Sequence, residues 1–209
     1  MLVRADPKIL AEIIEPPSAV INTLWDSIKK ATVPYNKNLI GQIEKELVLD
    51  VHETVRQYFN GIVISSKLAE DRLKKVSDLW RTIDNKKNLP NIYLGDMWVN
   101  FQKKHEYNPP HTHSGLFPFV IFLQIPFKDE DEIKMSNSIN SRKSLNGNFC
   151  LLDLNEDIYD YNYTVDKSWE GKGFFFSSDR IHTVYPFYSS NEERITVSGN
   201  IYFKFFFFF

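Results

Sequence analysis

The chain has 209 residues, a formal net charge of −2, 43% hydrophobic residues and 25% charged ones. That length suits one sizeable domain, and the near-balanced charge offers no basic stripe for a nucleic-acid backbone. A single cysteine, Cys150, leaves no intrachain disulfide, and no apolar run approaches the roughly 18 residues of a membrane span.

Residues 1–30 lack a basic start, an apolar stretch and a small-residue cleavage site in succession, so a reducing, cytoplasmic setting is expected. Asp6-Pro7 has the form of a helix start, with Asp as N-cap and Pro at the first helical position. Pro16-Pro17-Ser18 interrupts, and Ala19 to Ala31 predicts a helix with Val20, Leu24 and Ile28 at helical spacing. Leu47 to Phe59 and Ser66 to Ile83 continue the helical pattern. In the second of these, Ala69, Leu73, Val76, Trp80 and Ile83 make a stripe that Lys86 to Pro90 ends.

From Asn91 the character changes. Asn91 to Phe101, Phe117 to Ile125, Asn148 to Leu154, Gly173 to Phe176 and Arg194 to Phe205 are aromatic or β-branched runs between turn-forming clusters. They predict an antiparallel β module, which the 17 Phe and 10 Tyr suit. Lys128 to Asn146 is expected to be an exposed loop that covers a site, and Phe205 to Phe209 a last strand or a tail packed on the surface. The expected organisation is one domain over residues 1–209. Residues 1–90 would be its helical support and residues 91–205 its β core.

Five histidines carry most of the remaining information. His52 sits in a helical pattern, and His105 among charged neighbours; both are expected to be surface residues. His111 and His113 differ. Residues i and i+2 of an extended segment project to one face, so Asn108-Pro109-Pro110-His111-Thr112-His113 offers two imidazoles to one ion. His182, in Ser178-Asp179-Arg180-Ile181-His182, follows the run that begins at Gly173 and is the candidate third ligand.

In the last run Arg194, Thr196, Ser198 and Asn200 alternate with Ile195, Val197 and Ile201. A guanidinium with hydroxyls on the same face can clamp a carboxylate bidentately. An ion pair with Glu192 or Glu193 is the competing account of Arg194. A polar face turned inward, however, is explained only by a ligand pocket.

This arrangement resembles the Fe(II)- and 2-oxoglutarate-dependent dioxygenases, in particular small prolyl-hydroxylase-like and phage-encoded members. The likeness spans roughly Asn91 to Phe203. It rests on Pro110-His111-Thr112-His113 before a strand, Gly147-Asn148-Phe149 opening another, Gly173 to His182, and Arg194 with Thr196 and Ser198. It implies a mostly β fold, a jelly-roll or cupin-like double-stranded β-helix buttressed by the N-terminal helices. It also implies Fe(II), 2-oxoglutarate and O2, with hydroxylation of a C–H bond in a protein, peptide or small molecule.

By the same resemblance, His111 and His182 match the two metal histidines. Arg194 matches the arginine that holds the far carboxylate of 2-oxoglutarate, helped by Thr196 or Ser198. His113 stands where the family places Asp or Glu. Three neutral imidazoles leave one more positive charge on the iron than two histidines and a carboxylate would. They also describe a hydrolytic zinc site, so zinc stays open. Phe122 falls where many members carry a supporting tyrosine. Phe117, Phe119, Ile121 and Phe174 to Phe176 are candidate shields, and Trp98 and Asn100 candidate cosubstrate contacts.

Two other classes fit less of the pattern. A cupin-like three-histidine metalloprotein working without a 2-oxo acid would carry a glutamate soon after its His-x-His pair. Here the next acidic residue after His113 is Asp129. A non-catalytic β-module for protein interaction would keep a structural metal or none, and three dispersed histidines would decide in its favour. The substrate and the oligomeric state are not written in these residues.

Overall fold

The computed structural model describes residues 11–84, 91–153 and 159–204. Asp6-Pro7, Lys86 to Pro90 and the Phe205 to Phe209 tail lie outside them. So do the side chains of Val76, Trp80 and Ile83.

Three helices occupy the N-terminal part. α1 (Ser18–Lys30) buries Val20, Leu24 and Ile28, and ends on Lys29 and Lys30, cations at its negative pole. α2 (Glu53–Ser65) is capped by His52, whose Nδ1 accepts a hydrogen bond from Thr54 N. Its buried face is Val55, Phe59 and Val63. α3 (Lys67–Asp84) follows Ser66, whose Oγ accepts from Ala69 N.

Among the described residues, ten strands make two antiparallel sheets. The larger contains β1 (Ala11–Ile14), β2 (Lys45–Val48), β3 (Asn91–Gln102), β5 (Phe117–Gln124), β8 (Gly173–Phe176) and β10 (Arg194–Lys204), in the order β1-β8-β5-β10-β3-β2. The smaller contains β4 (Asn108–His111), β6 (Phe149–Asp153), β7 (Tyr159–Tyr163) and β9 (Ile181–Val184), in the order β4-β9-β6-β7. The fold is mostly β with buttressing helices, a double-stranded β-helix.

The helical expectation for the first ninety residues omitted two strands. Ala11–Ile14 pairs with Phe176 to Gly173, and Lys45–Val48 pairs with Phe101 to Trp98. The free backbone edges of the large sheet decide this, because tertiary pairing overrides local propensity. Leu47 is therefore a strand residue, and the helix expected from there begins only at Glu53.

Strand alternation divides the large sheet into two faces. Leu47, Val99, Val197 and Ile121 lie in register across β2, β3, β10 and β5, and pack beneath the helices with Val20, Leu24 and Phe59. The adjacent row, Glu46, Asn100, Thr196 and Phe122, points to the opposite face. On that inner side a second core joins Val120, Phe122, Phe174 and Phe176 to Phe149 and Leu151 of the smaller sheet. Gly173 permits the β5–β8 pairing, since a Cβ there would lie 2.1 Å from Val120 O.

Phe59 joins helix to sheet. Its ring is fully buried and stacks on Phe119 at 3.7 Å between centroids. Phe59→Ala should destabilise the protein by about 3–5 kcal/mol, the usual cost of emptying a buried aromatic site. Urea unfolding followed by circular dichroism measures it.

Candidate active site

The smaller sheet sets the spacing of the first two imidazoles. His111 of β4 stands opposite His182 of β9. The chain after β4 is held against Ser178. His113 N donates to Ser178 O (3.2 Å), Ser178 N to Leu116 O (2.9 Å), and Ser178 Oγ to Gly115 O (2.9 Å). That clamp brings the third imidazole in. One ring nitrogen from each of His111, His113 and His182 lies within 4.8 Å of the others. The expectation from the sequence names the same three residues.

Backbone carbonyls orient two of the rings. His111 Nδ1 donates to Pro109 O at 2.7 Å and His182 Nδ1 to Arg180 O at 3.3 Å, leaving each Nε2 as a lone pair. His113 Nε2 and His182 Nε2 are 3.1 Å apart. With metal–nitrogen bonds of about 2.1 Å, nitrogens at that separation could both reach one ion. Aromatic packing fixes the rings further. Trp98 stacks on His113 with centroids 5.9 Å apart, and Phe176 meets His182 edge-on at 4.8 Å.

Burial keeps all three imidazoles neutral. It lowers His111 despite its bond to Pro109, brings His113 down to about 4 with help from the nearby His111, and holds His182 well below 6.5. Neutral rings with converging lone pairs are what a divalent ion requires. The donor set fits Fe(II), which His111, His113 and His182 would hold.

These rings open on a cavity of about 250 Å³. Its walls include Trp98, Asn100, Thr196, Ser198, Phe122 and Phe176, all singled out in the sequence. Asn100 Nδ2 donates to Thr196 Oγ1 at 3.1 Å, so the threonine hydroxyl proton is free to face a ligand. The polar face of β10 does turn inward. Phe117 and Ile121 do not; they pack on the helix side.

Arg194 is placed differently from a guanidinium waiting at the ligand surface. It is fully buried and does not line the cavity. Its Nε and Nη2 donate to Gln102 Oε1 (3.1 and 2.6 Å), Nη1 to Gly147 O (2.7 Å), and Nη2 also to Tyr185 O (3.1 Å). Gln102 itself lines the cavity, so its amide stands next to the space a ligand would fill. Burial lowers Arg194 to about 9, opposed by Glu132, and the group remains a cation at neutral pH.

The expected loop over the site is also corrected. No residue of 128–146 lines the cavity. The segment opens with a short helix, α4 (Asp129–Ile133), and the buried Glu132 pins it elsewhere. That carboxylate accepts from Tyr188 N, Ser189 N and Ser189 Oγ. The segment that does border the cavity is Tyr35 with Asn38 to Gly41, tied down by Tyr35 N donating to Glu46 O and Gln42 N to Tyr107 O. Sequence reasoning missed it, and missed Glu46 and Gln102. Lys45-Glu46-Leu47-Val48 runs charged, charged, apolar, apolar, so no period-two alternation marked Glu46 as a strand residue.

Residues 96–200 match the family model described as "Putative 2OG-Fe(II) oxygenase". The chain belongs to the 2OG-Fe(II) oxygenases. It is an oxidoreductase of the class that uses iron and 2-oxoglutarate. No curated protein matches the chain significantly in sequence. Among solved structures it is similar to a Pseudomonas putida prolyl-4-hydroxylase, with 11% identity, 93% of this chain and 92% of that one covered, and a TM-score of 0.47. It is also similar to HygX from Streptomyces hygroscopicus, solved with nickel, 2-oxoglutarate and hygromycin B bound. There the identity is 10%, with 94% and 84% covered and a TM-score of 0.50. At such identity the likeness to HygX bears on the fold alone.

Divalent metal should bind the three histidines. Titration of metal-free protein with Mn(II) should show one site, and His182→Ala should weaken it by more than the ten- to hundredfold typical of changes around a ligand. Calorimetry reads both.

A second expectation concerns acidity. Burial, and then the charge of Glu106, raise the Glu46 carboxyl from 4.5 to about 7. Between those values the folded protein binds more protons than the unfolded chain. Glu46's share of stability is therefore complete below its unfolded pKa and is lost as pH rises through about 7. Glu46→Gln should flatten that decline, seen as a smaller melting-temperature difference between about pH 5 and about pH 8.

Proposed function

We propose that this oxygenase hydroxylates a C–H bond of a substrate seated beside His111, His113 and His182. The overall reaction joins substrate, 2-oxoglutarate and O2, and yields the alcohol, succinate and CO2. The observation that carries this reading is the convergence of three neutral imidazoles on a cavity with an inward polar row. Bound iron, together with 2-oxoglutarate and O2, supplies the oxidising power for attack on an unactivated C–H bond.

The chain's own residues supply position and dryness. His111, His113 and His182 would hold the ion, and the carbonyls of Pro109 and Arg180 keep two of the rings aimed at it. Val120, Phe122, Phe149 and Phe176 line the space with carbon, which excludes water from a reactive centre. Thr196 and Ser198 present hydroxyls on the inner face of β10, where each can donate to a carboxylate.

Arg194 is assigned to the far carboxylate of 2-oxoglutarate by exchange. Gln102 Oε1 receives two of its N–H groups at 3.1 and 2.6 Å, as a carboxylate would. Withdrawal of that amide would hand the same fork of donors to the cosubstrate. The cavity volume lies below the usual range of about 300–1,000 Å³ for drug-sized ligands, so it suits a cosubstrate with one reacting group of the substrate.

Purified protein with Fe(II) and ascorbate should convert 2-oxoglutarate to succinate, and His111→Ala should reduce that conversion at least about a hundredfold. Absence of succinate from the iron-loaded wild type would overturn the reading. Gln102→Glu places a permanent carboxylate against Arg194, and should weaken 2-oxoglutarate binding about tenfold or more while the three histidines still take up Mn(II). Unchanged 2-oxoglutarate affinity in Gln102→Glu would remove Arg194 from the assignment.

A further inference from the structure

Glu46 is the least expected residue in the cavity. Only 1% of its surface is exposed, yet Oε1 has no hydrogen-bond partner among the described residues. Oε2 is met only by Asn36 Nδ2, at 3.4 Å. A buried carboxylate without a donor is costly, and a fold tolerates one at a ligand surface when the donor arrives from outside. Gly41 keeps the carboxylate uncovered, since a Cβ there would lie 2.8 Å from Oε1.

The surroundings point to the charge of that donor. Asp96 adds a second carboxylate to the lining, with Oδ2 accepting from Tyr202 Oη at 2.8 Å. Among the described residues, no lysine or arginine lines the cavity. Tyr35 and Trp98, with centroids 5.9 Å apart, contribute two aromatic rings near the same strands, and ring faces attract cations. Three uncharged histidines add no anion to the site. A divalent ion, a dianionic cosubstrate and Arg194 sum to one positive charge, so once Glu46 is ionised it and Asp96 leave one negative charge uncompensated.

We propose that Glu46 and Asp96, with Tyr35 and Trp98, form a recognition site for an organic cation, a protonated amine or guanidinium carried by the substrate. Its role as a substrate site rests on the oxygenase reading; its affinity for cations does not. Glu46 would accept hydrogen bonds from the cation, and the two rings would cover its apolar flanks.

The test is a calorimetric titration of wild-type protein, with and without Mn(II) and 2-oxoglutarate. The probes are pentylamine, butylguanidine, the tripeptide Gly-Lys-Gly, and neutral pentanol. At least one cationic probe should bind ten times more tightly than pentanol, and Glu46→Gln should abolish the preference. Asp96→Asn, at an exposed position, should weaken it severalfold and serves if Glu46→Gln does not fold. Preference for Gly-Lys-Gly over pentylamine would identify a peptide side chain as the source, and the reverse a free amine. Equal affinity for charged and neutral probes, or a preference that survives both substitutions, would overturn the proposal. Failure of 2-oxoglutarate to bind the wild type counts against the oxygenase reading alone, because the cation preference is read separately.

Discussion

The pairing of β4 with β9 is the constraint on which the site depends. It sets His111 against His182, residues far apart in sequence, and the clamp on Ser178 then swings His113 into the same space. Metal ligation tolerates little error, because a ring must present one lone pair along one direction. Here direction is set by backbone carbonyls and aromatic packing, so the imidazoles are organised by the protein itself. The hydrophobic surroundings add the electrical half of the arrangement by keeping the rings neutral.

The large sheet works as a partition. One face is sealed by α1 to α3 through Leu47, Val99, Val197 and Ile121, and the residues between them are forced to the other side. The sheet thus places Glu46, Asn100, Thr196 and Phe122 in one line facing the cavity. Polar groups on that line would be unfavourable in an ordinary core. Their presence is the price of a ligand site, and the helices give the sheet the rigidity that such a site needs.

Electrostatics in the cavity are uneven. The cationic end, at Arg194, is hidden behind Gln102 and already satisfied by protein acceptors. The acidic side, at Glu46 and Asp96, meets the cavity directly. With His113 where the resemblance leads one to expect a carboxylate, the three converging rings bring no negative charge of their own. The carboxylates that remain in the cavity belong to other strands, where they are available to something other than iron.

The three converging histidines were legible in the sequence because two of them share an extended segment and the third follows a recognisable apolar run. Strand periodicity likewise showed that Arg194, Thr196 and Ser198 share a face. The edge strands Ala11–Ile14 and Lys45–Val48 were not legible, since their conformation comes from partners distant in the chain. For the same reason Glu46 and Gln102 escaped notice, and the loop at 128–146 was credited with a cover that Tyr35 to Gly41 provides. The residues alone determined which chemistry was on offer: three imidazoles, a guanidinium and a β scaffold to carry them. Only the folded arrangement decided which groups meet the cavity and which are spent on one another, because register and burial depend on contacts between segments that local patterns do not record.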